Sequence, residues 1–184
     1  MAAQAVQAAL VAAAAAIATT EQRVPGATAL IALGSNLGDR RANIESALRA
    51  IDELPRTRLL TASPLIETKA VRLPGDDHPQ PDYLNAAASI ETQLSPRDLL
   101  AALLDIEQRL GRDRSTGERW TARTLDLDLL LFGDQVIDEP ALRVPHPEMH
   151  RRRFVLDPLA RIAPNTHHPI LNKTVAELLA TLPQ

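Results

Sequence analysis

The chain has no cysteine. Disulfides, thiolate nucleophiles and cysteine-held zinc are therefore excluded, and the absence suits a reducing cytoplasm, where we expect the protein to work. Aromatic residues make up 2% of the 184 residues, so Tyr83, Trp120, Phe132 and Phe154 can be weighed one by one. Strong charge of either sign is also missing. A net charge of −3 gives no reason to expect nucleic acid or an anionic membrane as a partner. No convincing membrane span is present. Residues 2–18 are alanine-rich and uncharged, but too weakly apolar and slightly too short to cross a bilayer. They also lack the basic start of a secretory signal. We expect residues 1–25 to be an appendage, frayed or helical, and residues 26–184 to form one domain with a sizeable core.

Within that domain the pattern mixes strands and helices without internal repeats. Thr28–Leu33 reads as a short apolar strand ended by Gly34-Ser35-Asn36-Leu37-Gly38. Asp39 can then cap a helix whose inner stripe is Ile44, Ala47, Leu48, Ile51 and Leu54, stopped by Pro55. Residues 57–68 read as extended, broken by Pro64, and residues 70–82 as a loop. A strand over 84–94 precedes a second helix, which opens at Ser95 with Pro96 in its first position, has Leu99, Leu100, Leu103, Ile106 and Leu110 as its expected buried face, and ends at Gly111. A polar loop over 112–123 leads to another strand. Leu142–Val144 is a candidate short strand, 148–159 holds a short helix, and Thr174 with Glu177 forms a capping box for the last one. This mixture predicts an α+β fold: a mixed, mostly antiparallel sheet with helices packed on it.

The most informative segment is Glu118 to Asp134. Asp126 and Asp128 stand two apart in a run of leucines that reads as a strand. Strand side chains alternate, so both carboxylates point to one face, with Cα atoms about 6.5–7 Å apart. Strict alternation sends Leu125, Leu127, Leu129 and Leu131 to the other face and puts Leu130 and Phe132 with the aspartates. A pair of acids on a half-buried strand is costly unless a cation or donors satisfy it. Magnesium is the natural occupant, because it takes carboxylate and phosphate oxygens. Arg112, Arg114, Arg119 and Arg123 lie just upstream, and arginine grips phosphate with a planar fork. Ser115, Thr116 and Gly117 let that loop move and close over a triphosphate. The blander readings are a solvated edge strand for the acids and a solvated charged loop for the arginines.

Other candidates are weaker one at a time. Tyr83 follows a proline-rich loop, where a ring can stack on a flat heterocycle, and Asn85 can offer its amide to a heterocycle edge. Packing on the core is an equal reading for Tyr83. His146, between Pro145 and Pro147, can donate to a phosphate or simply be solvated. The Gly34–Gly38 turn lacks the Gly-Lys-Ser/Thr ending of a P-loop, and a tight strand-to-helix turn explains its glycines equally well.

In order along the chain stand Gly-Ser-Asn-Leu-Gly at 34–38, Pro-Asp-Tyr-Leu-Asn-Ala-Ala at 81–87, Arg-Trp-Thr-Ala-Arg-Thr-Leu-Asp-Leu-Asp-Leu-Leu-Leu-Phe-Gly at 119–133 and Val-Pro-His-Pro at 144–147. This set resembles the 6-hydroxymethyl-7,8-dihydropterin pyrophosphokinase family of folate biosynthesis, over about residues 28–183. The resemblance implies a ferredoxin-like sandwich. It implies transfer of the two terminal phosphates of ATP, as one unit, to the pterin hydroxymethyl oxygen, with AMP as the other product. By the same resemblance Asp126 and Asp128 would hold two magnesium ions. Tyr83 and Phe154 would sandwich the pterin ring and Asn85 would read its edge. Glu107, Arg112, Arg114, Trp120, Arg123, His146 and Arg152 would line the ATP side, with Arg112 and Arg123 helping the chemical step. Pro147 leaves no side-chain donor after His146. Two other readings stay in view: a nucleotidyltransferase, whose acids would follow Gly-Ser closely in the chain, and a pterin- or nucleotide-binding regulatory domain.

Overall fold

A computed structural model describes residues 26–69, 81–111 and 124–183. The expected appendage at 1–25, most of the 70–82 loop and the whole 112–123 loop, with Arg112, Arg114, Trp120 and Arg123, lie outside the described residues.

The chain runs β1 (Ala27–Ser35), α1 (Arg40–Asp52), β2 (Thr57–Ala62), β3 (Ile66–Thr68), β4 (Tyr83–Thr92), α2 (Pro96–Arg109) and β5 (Asp126–Phe132). The order across the sheet is β2-β4-β1-β5, and β3 also pairs with β4. With β2 and β3 as one interrupted strand, this is the βαββαβ arrangement of a ferredoxin-like sandwich. Every pairing among the described strands is antiparallel, so the parallel share allowed for by a mixed sheet is not found among them. After β5 come a hairpin of β6 (Ile137–Glu139) and β7 (Leu142–Val144), a 3-10 turn at Met149–Arg151, α3 (Arg153–Ile162), the short pair β8 (His167–His168) and β9 (Lys173–Thr174), and α4 (Val175–Ala180).

Local chemistry accounts for the element starts. Asp39 Oδ1 accepts the Ala42 N–H at 3.0 Å and begins α1. Ser95 Oγ accepts the Asp98 N–H at 3.1 Å ahead of Pro96 and begins α2. Thr174 and Glu177 form the reciprocal capping box of α4. Each such bond satisfies a backbone donor that the helix itself leaves open.

The helices cover both faces of the sheet. On one face Ile44, Ala47 and Ile51 of α1 and Leu99, Leu103 and Ile106 of α2 pack against Ile31, Leu33, Ile90, Leu127 and Leu129. On the other, Val155, Leu156 and Leu159 of α3 and Val175 and Leu178 of α4 pack against Leu30, Ala87, Leu130 and Leu131. Strict alternation along β5 fails after Leu129. The register steps from Ile31 opposite Leu129 to Leu30 opposite Leu131, which leaves Leu130 as an extra residue. Such a bulge re-aims everything beyond it. Leu131 therefore joins Leu130 on the aspartates' face, and Phe132 turns to the face of α1 and α2. This reverses the sequence expectation for both residues.

Candidate active site

The face covered by α3 and α4 is closed at one end and open at the other. Leu30, Leu130 and Leu131 are buried, whereas Ala32, Gly34, Asp126 and Asp128 are half-buried. Strand register aligns this end in two rows, half-buried on β1 and β5 and buried on β4, where Asn85 is 6% exposed and Ala87 is fully covered. Gly34 of β1 pairs with Asn85 on one side and Asp126 on the other. Ala32 pairs with Ala87 and Asp128 in the same way. The middle strand thus carries the smallest side chains, flanked by Tyr83 and Asn85 to one side and by two carboxylates to the other. Two strand spacings make this trough about 9.5 Å wide between outer backbones.

A side chain at Gly34 would intrude on it. A Cβ there would sit 3.5 Å from Asn85 Oδ1 and 3.8 Å from Tyr83 Cδ1. The same contact shows where Asn85 points. Its Nδ2 donates to Thr68 Oγ1 at 2.8 Å, so its carbonyl oxygen is turned over the trough floor, an acceptor suited to an amino group on a flat ring.

Asp126 and Asp128 share this face, as expected, one row apart. Among the described residues no group of three or more His, Asp or Glu could hold a metal alone. The donor set still fits magnesium, which is commonly held by one or two carboxylates and completed by water and substrate phosphate. Arg152 Nη1 lies 4.0 Å from Asp128 Oδ2, with both side chains about one-third exposed. Its guanidinium carbon is 5.9 Å from the centre of the Phe154 ring, within cation–π reach. Arg152 therefore links the acid side to the one described aromatic of α3.

His146 closes the same edge. Its N–H donates to Leu130 O at 2.9 Å, after a cis Val144–Pro145 bond. Its Nδ1 accepts the Glu148 N–H at 3.2 Å, which assigns the proton of the neutral ring to Nε2 and makes that nitrogen the donor. Burial holds the His146 pKa below its usual value, and Arg152 pushes the same way, against the opposing pull of Glu148 and Asp126.

Glu107, expected on the ATP side, is fully buried, and its Oε1 accepts the Leu127 N–H at 2.7 Å. Its observed contact is with the backbone of β5 beside Asp126. The structure thus gathers Tyr83, Asn85, Asp126 and Asp128 at one trough, with Arg152 beside Asp128 and His146 at the edge of β5. Sequence reasoning missed Thr68, which orients Asn85, and the backbone of Glu148, which sets the His146 tautomer. Neither carries a sequence signal, since both act through contacts that only the fold creates.

The family model for 7,8-dihydro-6-hydroxymethylpterin-pyrophosphokinase (HPPK) matches residues 30–164. The chain belongs to that family. Among its relatives, the 2-amino-4-hydroxy-6-hydroxymethyldihydropteridine pyrophosphokinase of Pseudomonas aeruginosa is 48% identical over 153 residues, 83% of this chain and 90% of that protein. The protein of the same name from Haemophilus influenzae is 48% identical over 136 residues, 74% of this chain and 81% of that one. Among solved structures, an HPPK-DHPS in complex with substrates superposes with a TM-score of 0.65 at 13% identity, over 85% of this chain. The chain spans 43% of that larger structure, and at this identity the likeness speaks for the HPPK fold alone.

Proposed function

We propose that this HPPK-family chain transfers pyrophosphate from ATP to the hydroxymethyl group of 6-hydroxymethyl-7,8-dihydropterin, giving AMP and the pterin diphosphate, a step of folate biosynthesis. The observation that supports the reading most is the strand register about Gly34 and Ala32: Asn85 and, two residues earlier on the same strand, Tyr83 lie to one side of β1, and Asp126 and Asp128 lie to the other. The pterin lies against Tyr83 and Phe154, with Asn85 Oδ1 accepting from its edge. The hydroxymethyl oxygen then reaches across the trough towards the triphosphate.

In this reading the hydroxyl oxygen attacks the β-phosphorus of ATP. The bond from that phosphorus to the oxygen shared with the α-phosphate breaks, and AMP leaves with that oxygen. The hydroxyl proton departs to solvent or to a nearby carboxylate. Such transfers depend on in-line placement and charge neutralisation more than on covalent catalysis. Asp126 and Asp128 would hold two magnesium ions, which when bound supply charge neutralisation on the triphosphate. His146 Nε2–H and Arg152 donate to phosphate oxygens, and Arg112, Arg114, Trp120 and Arg123 complete the ATP side. Arg112 and Arg123 carry the further role of stabilising charge during transfer. In this reading the protein works on two small-molecule substrates in the reducing cytoplasm that a chain without cysteine suits.

The deciding experiment identifies products from ATP, magnesium and the pterin. Pterin-dependent AMP with a pterin diphosphate supports the reading. Free pyrophosphate would mean nucleotidyl transfer, and ADP would mean transfer of one phosphate. Tight pterin binding with no turnover would favour the binding-domain alternative.

A further inference from the structure

The Gly34–Gly38 turn and the first turn of α1 send polar side chains in two directions. Towards β5, Ser35 Oγ donates to Thr124 O at 2.6 Å. Asn43 Nδ2 reaches the same carbonyl at 3.1 Å, as well as Leu37 O at 2.9 Å and Ser35 Oγ at 3.2 Å. Thr124 stands two residues before Asp126, and its own Oγ1 donates to Gly111 O at 3.3 Å. Towards β4, Arg40 Nη1 donates to Asp82 O at 2.6 Å and to Glu67 Oε1 at 2.8 Å. Asn36 Nδ2 donates to Pro81 O at 3.4 Å. Asp82 directly precedes Tyr83, and its carboxylate pairs with Lys69 at 2.9 Å.

Pro81, Asp82 and Thr124 share one property. They are the points from which β4 and β5 begin, and each offers a main-chain carbonyl. A bond to a carbonyl reads no side-chain identity; it fixes where the backbone lies. Ser35 and Asn36 are almost fully buried, so their polar atoms must be satisfied where they stand. The turn itself is continuous with Gly34, the floor of the trough.

We propose that Ser35, Asn36, Arg40 and Asn43 form a positioning unit that sets the two sides of the trough relative to each other. Arg40 and Asn36 place the start of β4, and with it Tyr83 and Asn85. Ser35 and Asn43 place the start of β5, and with it Asp126. None of the four touches substrate in this account. The proposal rests on the pyrophosphokinase reading for the identity of the two ligands, and it assigns the glycine turn a role other than cradling phosphate.

The unit makes a prediction that a general structural role does not: its two arms affect different ligands. The test uses full-length protein carrying Arg40→Ala, Arg40→Lys, Asn43→Ala or Ser35→Ala. Pterin affinity is read by its fluorescence. Manganese affinity is read by electron paramagnetic resonance with a methylene analogue of ATP. AMP formation and melting temperature are followed alongside. Losing one or two such bonds is worth about tenfold in the affected equilibrium. Arg40→Ala should weaken pterin binding about tenfold and leave manganese binding within about twofold, with Arg40→Lys restoring part of the loss. Asn43→Ala should do the reverse, weakening manganese binding and lowering turnover while pterin binding holds. Ser35→Ala removes a bond to the same carbonyl and repeats that arm should Asn43→Ala fail to fold. Both ligands weakening together in step with melting temperature would overturn the proposal, and so would no change in either. If wild-type protein forms no AMP while the ligand split persists, the reaction assignment fails and the positioning unit stands. If AMP forms without the split, the positioning unit fails and the reaction assignment stands.

Discussion

Gly34 shows how much a single missing side chain can decide. It lies in extended backbone within β1, and no positive φ demands glycine there. A methyl group would make only ordinary contacts, at 3.5 Å to Asn85 Oδ1 and 3.8 Å to Tyr83 Cδ1. Folding should therefore tolerate Gly34→Ala, and stability should rise by about 0.4–1 kcal/mol because the unfolded chain loses freedom. The same methyl occupies the floor on which the pterin is proposed to lie, so pterin affinity should fall. Thermal unfolding and a pterin fluorescence titration read the two effects separately; undiminished affinity would move the pterin away from this floor. For the acids the contrast is sharper. Asp126→Ala or Asp128→Ala removes a half-exposed carboxylate from the open end of the sheet, so the fold should persist. Magnesium-dependent transfer should fall by about a thousandfold or more, since a metal's charge stabilisation is worth several kcal/mol. Near-normal turnover in either variant would remove the metal assignment. On the ATP side, Arg123→Ala should lower turnover far more than pterin affinity, and an unchanged rate would take away its catalytic role.

Among the elements, β5 carries the greatest difference between pattern and structure. Leu130 is the extra residue of its bulge, and its carbonyl accepts the N–H of His146 at 2.9 Å. Deleting Leu130 should leave Phe132 facing α1 and α2, because the bulge already puts Leu130 and Leu131 on one face. The deletion removes a buried leucine, at a cost of about 2–5 kcal/mol, and releases His146 from its carbonyl. We expect a lower melting temperature, weaker ATP binding and unaltered pterin binding. ATP affinity equal to wild type would limit the bulge to a packing role. No pattern could reveal this bulge, because a run of four consecutive apolar residues reads equally well in either register. The caps at Asp39, Ser95 and Thr174 were legible because each is a local bond between residues three apart. The strands β6, β8 and β9 were not, since two or three residues carry no period. The shared face of Asp126 and Asp128 needed only alternation. The meeting of Gly34 with both Asn85 and Asp126 needed the order of strands, which depends on contacts far apart in the chain. Ser35, Asn36 and Asn43 read as an ordinary turn and helix start until their carbonyl partners come into view.

At the scale of the whole molecule, the buried histidine of the C-terminal hairpin couples stability to pH. His168 is 4% exposed, and its Nδ1 accepts the N–H groups of Ile170 and Leu171, each at 3.3 Å. Burial lowers its pKa, and the neighbouring His150, in edge-on contact at 6.3 Å between ring centres, lowers it further. Between that lowered value and the unfolded value of about 6.5, the unfolded chain binds the proton that the folded chain refuses. Stability from His168 is therefore fully present above about 6.5 and is lost as pH falls below it. Glu177 acts lower on the scale. Its bonds from Thr174 hold its carboxyl below the usual range, so its contribution is present above the ordinary carboxylate pKa and is lost as pH falls through the lowered one. The two windows separate the groups. Protonating His168 places a hydrogen on the nitrogen that now accepts two turn N–H groups, so the β8–β9 hairpin that leads into α4 should loosen first. His168→Asn keeps an acceptor near that position without a titrating ring. Urea unfolding from pH 7.5 to pH 5 should show wild type losing stability below about 6.5, through His168 and through His146, whose pKa burial also lowers. His168→Asn should flatten the profile in part and leave the His146 share, and Glu177→Gln should leave its slope unchanged in that range. Parallel profiles for wild type and His168→Asn would mean that the hairpin histidine does not set the acid limit of the fold.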